Sequence, residues 1–303
     1  MMIALSLLLE SRTDALLPFG VGRAHYAATL AHMQTIDPEL TAAIHGANGP
    51  KPITCSDLIG AKARRDGLAV RAGQPLRLRI TGLTAPVAQA LTKLLDAPPP
   101  TWTLVGQEFQ ITGVVCDPQR DPWTGRDSYE SLAASHLLGK RTPTPLVTMR
   151  FSAPTGFKSK GMHMPIPLPE LLFGSLVDRW NAFSTITVSP DMRRFAAEMI
   201  AVSRYELRSR AVTHKAGSVR MGGVGVVSYR ALGGGIINHS PFAVHHSLFA
   251  LPLHHSPLIL QRDFRLNCHS ECGVGVSLPV GVAEQAKQVV VGQVPETRFE
   301  LGP

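Results

Sequence analysis

Strands and helices follow one another over the first 140 residues in the order β-α-β-β-α-β, and a partial repeat of that order runs on to about residue 230. Residues 76–80 alternate apolar with polar residues, while helical segments such as 22–35 and 169–183 repeat their apolar positions every three to four residues. These observations predict an α+β fold of two tandem ferredoxin-like units, residues 1–140 and 141–230, the second degenerate. Residues 231–303 form an atypical C-terminal segment, His-rich and poor in charge.

Residues 3–9 are apolar apart from Ser6 and read as a buried strand. The run lacks the basic start and small-residue cleavage site of a leader, so a strand is the better reading. A helix is expected over 22–35, and Asp37-Pro38 starts a shorter one, Asp as cap and Pro in the first turn. It reaches His45. A strand at 53–57, a basic loop with Lys62, Arg64, Arg65 and Arg71, and a strand at 76–80 follow. In Leu76-Arg77-Leu78-Arg79-Ile80 the strict alternation puts both arginines on an open face. A helix at 84–95 stops at Pro98-Pro99-Pro100, and a hairpin at 103–115 completes the unit. A connection at 117–127 and a helix at 129–138 lead to the second unit, which reads as a strand at 146–151, a two-lysine loop at 154–161 and helices at 169–183 and 190–202. A strand at 205–212, a Gly-rich loop at 215–225 and a strand at 226–229 follow.

The formal net charge of +8 over 303 residues favours a polyanionic partner. With few aromatic residues, no base-stacking platform for single strands is advertised. Four cysteines, Cys55, Cys116, Cys268 and Cys272, make no disulfide framework, which fits a reducing, cytoplasmic setting. No continuous apolar stretch reaches membrane-spanning length, so no membrane partner is expected. Nucleotide-binding loops, nucleophile elbows and HExxH are absent, and no cofactor is expected.

The stretch His45-Gly46-Ala47-Asn48-Gly49-Pro50-Lys51-Pro52-Ile53-Thr54 organises the chemistry. Asn48 and Gly49 tolerate left-handed backbone angles, and Pro50 fixes the approach to Lys51. A stiff turn of this kind can hold an imidazole and an ammonium over one small anion. The first exchanges protons near neutrality and the second offers compact positive charge, which suits a phosphodiester. The alternative is a helix-terminal His favouring the helix dipole, followed by a solvated Lys.

Two motifs carry a family likeness: Asp37-Pro38-Glu39-Leu40 through His45-Gly46 to Thr54, and Phe151-Ser152-Ala153-Pro154-Thr155-Gly156-Phe157-Lys158 with Pro167-Leu168-Pro169-Glu170-Leu171-Leu172-Phe173 and Arg179-Trp180-Asn181. A looser third runs from Lys215 to Tyr229. In order, over residues 3–230, they resemble the CRISPR-associated endoribonucleases of the RAMP superfamily, which cut precursor CRISPR RNA within its repeats. The resemblance implies cleavage without metal, the 2′-hydroxyl attacking the neighbouring phosphate to leave a cyclic phosphate and a free 5′-hydroxyl. It also implies His45 as general acid or base and Lys51 as the charge stabilising the phosphorane. Where some members carry a Tyr on the first helix, this chain has Leu30; Tyr26 is the remaining candidate for a third catalytic group. The family's C-terminal glycine-rich loop is only echoed by Cys272-Gly273-Val274-Gly275-Val276.

RNA contacts are expected from Lys158 and Lys160 between Gly156 and Gly161, from Lys215 and Arg220 about a Gly-rich turn, and from Arg77 and Arg79 on their strand face. An ordinary solvated hairpin and a charge-decorated edge are the alternatives. Cys268 and Cys272, with upstream His254 and His255, have a spacing zinc sites use; without a second pair no metal site is assigned. The expected partner is CRISPR repeat RNA in its precursor transcript; effector subunits and a second copy of the chain are further candidates. The rival readings are a repeat-binding effector subunit that has lost cutting, and a zinc-stabilised RNA chaperone.

Overall fold

The computed structural model describes residues 1–137, 145–213 and 218–232. Lys215, Cys268, Cys272, His254, His255 and nearly all of the segment after residue 230 lie outside the described residues. The N-terminal elements are β1 (Met2–Ser11), β2 (Ala15–Leu17), α1 (Gly22–Ile36), α2 (Pro38–Gly46), β3 (Ile53–Cys55), β4 (Lys62–Ala63), β5 (Leu68–Val70), β6 (Pro75–Gly82), α3 (Ala85–Asp96), β7 (Thr101–Leu104), β8 (Gln107–Val115) and β9 (Gly125–Asp127). After them come α4 (Tyr129–Leu137), β10 (Leu146–Thr155), β11 (Phe157–Ser159), β12 (Met162–Met164), α5 (Pro169–Phe183), α6 (Met192–Met199), β13 (Ile200–Thr213) and β14 (Val219–Ala231).

The first sheet runs β3-β6-β1-β8-β7, with β9 pairing the start of β1. Its four principal strands, numbered along the chain, lie in the order two, three, one, four, all antiparallel. That is the ferredoxin-like arrangement the element order predicts. In β1, Ile3, Leu5, Leu7 and Leu9 are buried in the main core, which also takes in Leu30 and Met33 of α1 and Leu91 and Leu94 of α3. Asp37 accepts from the Leu40 amide at 2.9 Å, and Pro38 opens α2, as expected of Asp-Pro at a helix start.

The open face of this sheet is not open where the arginines stand. The Ser6 hydroxyl donates to Asp121 at 2.8 Å, and Arg79, opposite Ser6 in the register, donates from Nε to the Trp123 carbonyl at 2.6 Å. Residues around Asp121 to Thr124 thus roof the sheet. The expectation that Arg79 lines a groove is corrected: it is 2% exposed. Strand alternation chose the face correctly; the covering connection came from more than 40 positions away.

The second sheet runs β10-β14-β13, again antiparallel. In chain order this is one, three, two: three of the four ferredoxin-like strands among the described residues, the degenerate copy expected. Phe151, Phe157, Phe173 and Tyr229 form its core with α5 and α6; the Tyr229 hydroxyl donates to the Pro167 carbonyl at 2.7 Å. A third cluster, Met2, Leu83, Tyr129, Leu132, Ala133 and Trp180, joins the two sheets through α4 and α5.

Three local expectations differ from the structure. The two-lysine loop is the hairpin β11–β12, its turn at Lys160 and Gly161 with φ of 50° and 78°. The helix expected over 190–202 yields to β13 at Ile200, because Ile200 and Val202 pair with Ala231 and Tyr229. The glycines read as a loop lie within β14. A Cβ at Gly222 would stand 2.6 Å from the Pro154 carbonyl carbon, so glycine here serves close backbone approach, not a phosphate loop.

Candidate active site

The His45–Lys51 turn is built as its sequence suggests, with one reassignment. Helix α2 ends at Gly46, and Gly49 takes φ +93°, the left-handed region that asks for glycine. Such an end leaves carbonyls without amide partners. Lys51 folds back and supplies one: its Nζ donates to the carbonyls of Ile44 at 2.8 Å, His45 at 3.1 Å and Ala47 at 2.5 Å. The ammonium is therefore the C-terminal cap of the helix that carries His45. Burial lowers the Lys51 pKa below the usual lysine value. His45 is exposed in the last turn.

The turn is also fixed from outside. The Leu83 amide donates to the Pro52 carbonyl at 2.8 Å, and Ile53 pairs with Gly82. From α5, Arg179 Nη1 donates to the Lys51 carbonyl at 3.2 Å. Sequence brings His45 and Lys51 near each other; the fold locks them. The contact is ammonium to backbone, so a phosphate that engages Lys51 must draw it off three carbonyls.

A cleft of about 570 Å³ opens between this turn and the second unit, lined by Pro50, Phe157, Lys158, Asp178, Arg179 and Arg193 among others. Of the expected RNA contacts, Lys158 stands at this cleft, and Lys160 is exposed at the hairpin tip next to it. His163 faces Lys158 across the hairpin. Its pKa is lowered by burial first, then by the charges of Arg220 and Lys158, so these three groups form one basic cluster. Arg77 stands apart, paired with Asp121 at 3.0 Å and lying over the Trp123 ring. Tyr26, on α1, is half-buried and packs on the first core.

Two cleft arginines were not singled out from the sequence. Arg179 is 5% exposed, and Arg193 pairs with Asp178 at 2.6 Å. The signal for Arg193 was Gly174 inside a helix, which costs about 1 kcal/mol against Ala. A Cβ there would lie 2.6 Å from the Arg193 guanidinium carbon, so the glycine makes room for the arginine. Likewise β13 carries Arg204, Arg208 and Arg210 at alternate positions on one face, Arg210 reaching the Phe19 ring at 5.0 Å.

Among the described residues no helix is long and apolar enough to cross a membrane, and no three His, Cys, Asp or Glu side chains gather as a metal site. Neither Cys55 nor Cys116 forms a disulfide among the described residues.

Two ferredoxin-like units thus flank a cleft that carries Lys158, Arg179 and Arg193. The family model of the CRISPR-associated endoribonuclease Cas6 matches residues 149–281. A Cas6 product complex aligns at 25% identity with a TM-score of 0.61, over 86% of this chain and 96% of that one. Cas6 of Thermus thermophilus aligns at 23% identity and a TM-score of 0.59 over the same shares. A further Cas6 product complex gives 24%, 0.58, and 82% and 89%. No curated protein sequence matches significantly. The resemblance read from the motifs is borne out: the chain is similar to Cas6 in sequence over residues 149–281, which takes in most of the second unit and part of the segment after it, and in fold over both units.

Proposed function

We propose that this chain is an endoribonuclease that cuts CRISPR repeat RNA without metal, by 2′-hydroxyl attack, leaving a 2′,3′-cyclic phosphate and a 5′-hydroxyl. The observation that carries the reading is the locked turn, in which the Lys51 ammonium sits on the backbone carbonyl of exposed His45 and Pro50 borders a cleft lined by Lys158, Arg179 and Arg193. RNA brings its own nucleophile, so the protein has three tasks: in-line placement, proton transfer and charge stabilisation. His45 moves the proton. Lys51 holds the helix end at rest and meets the phosphorane charge once RNA displaces it. Lys158, Arg220 and Lys160 take the backbone on either side, and Lys215, outside the described residues, is a further RNA contact proposed from the sequence alone. Tyr26, packed on the core, is the weakest member and the mechanism does not require it.

The likeness to Cas6 product complexes supports the substrate class, a repeat RNA read by shape, phosphates and 2′-hydroxyls. The second reading, a repeat-binding effector subunit without cutting, is favoured by the engagement of Lys51 with its own helix. One experiment separates them: purified protein with its cognate repeat RNA in excess EDTA, products analysed for end groups. Cyclic-phosphate ends support the enzyme, and tight binding without products supports the subunit. Products that vanish on chelation refute metal independence. His45→Ala should bind RNA normally and cut about 10² to 10⁴ times more slowly; an unchanged rate removes His45 from the mechanism.

A further inference from the structure

We propose that Arg179 is a positioning residue for cleavage: reaching from the second unit, it clamps the Lys51 peptide, so the reactive turn takes its working shape only while the two units are docked. The inference rests on the reading of that turn as the reactive site.

Four contacts carry it. Arg179 is 5% exposed, yet its Nη1 donates to the Lys51 carbonyl at 3.2 Å across 128 positions of chain. Its neighbour Trp180 stacks edge-on against Tyr129, ring centres 5.1 Å apart and planes at 88°. The Tyr129 hydroxyl donates to the Leu83 carbonyl at 3.0 Å, and the Leu83 amide donates to the Pro52 carbonyl at 2.8 Å. The path from Lys51 through Arg179, Trp180, Tyr129 and Leu83 thus returns to Pro52. It is a closed ring of contacts, with the seam between the units inside it.

Two further facts agree. Burial raises the Tyr129 phenol above its usual value, and the Arg179 charge partly opposes that rise, which puts the guanidinium beside the ring. Arg179 also lines the cleft, so RNA held there presses on the residue that sets the turn. A guanidinium suits this post because its planar fork can serve a carbonyl while its charge still faces the cleft; a lysine offers a single ammonium point. In-line attack tolerates little displacement, and an error of about 1 Å can cost a hundredfold in rate.

The test uses the full chain with repeat RNA, comparing Arg179→Met and Arg179→Lys with the unaltered protein. Single-turnover rate at saturating RNA and Kd are measured separately. The expected result for Arg179→Met is a rate lowered roughly tenfold to a hundredfold with Kd within about threefold, and a partial return of rate in Arg179→Lys. Hydrogen exchange at the Leu83 amide, which needs no catalysis, should quicken in Arg179→Met. A folded Arg179→Met that cuts at the normal rate, or keeps normal Leu83 protection, overturns the clamp. So does a loss confined to Kd, which would make Arg179 an RNA contact. If both variants fail to fold, the residue is a structural buried cation and the proposal falls. If the unaltered chain itself does not cut, the endoribonuclease reading fails, and Leu83 exchange alone still judges the clamp.

Discussion

Replacing Lys51 by Met tests whether the ammonium is a helix cap, a catalytic charge or both. The three carbonyls it serves lie at 2.8, 3.1 and 2.5 Å, at the negative end of the α2 dipole. A hydrogen bond from a charged donor contributes about 1.5–3 kcal/mol when buried. Here the lysine is half-buried and water can replace it on the carbonyls, so the three together are worth about 2 kcal/mol. For a chain of this size that is a fall in Tm of roughly 4–8 °C. If the same ammonium also meets the phosphorane, cutting at saturating RNA falls by about 10² to 10³. Thermal melts and single-turnover cleavage read the two effects on one preparation. A Tm within about 1 °C of the unaltered protein refutes the capping argument, and a normal rate in a destabilised variant confines Lys51 to structure.

The remaining expectations concern charge. Arg79→Met removes a buried donor to the Trp123 carbonyl and should destabilise by about 2–3 kcal/mol while leaving RNA Kd unchanged; looser binding with an unaltered melt would contradict the roofed-sheet account. His163 has a depressed pKa in the folded protein, so the unfolded chain binds the extra proton first and stability is lost as pH falls below about 6.5. RNA phosphates offset Lys158 and Arg220, so binding should take up a proton and tighten from neutral to mildly acid pH; His163→Asn should flatten that dependence, and titration calorimetry in two buffers measures the uptake. Lys158→Ala with Lys160→Ala should lower the slope of log K against log salt by about 1.4 for single-stranded contacts. An unchanged slope in filter binding would take the hairpin out of the interface.

Much of this protein was determined locally. Asp37-Pro38 starts α2, and residues 169–183 repeat their apolar positions at helical spacing and form α5 over that span. Gly49 and Pro50 make the turn, because backbone angles are set by residues next to one another. The alternation in β6 correctly put Arg77 and Arg79 on one face.

Distance along the chain marks where that legibility stopped. Whether the face of β6 was open depended on a connection over 40 residues downstream, and whether Lys51 was solvated depended on where a helix end left its carbonyls. Arg179 stood within a recognised motif, yet its bond to Lys51 spans 128 positions, and nothing periodic encodes such a pairing. Local sterics and hydrophobic spacing decide which segments are helix or strand. Burial, desolvation and the identity of a charge's partner are properties of the packed whole, so they arise only when the segments meet.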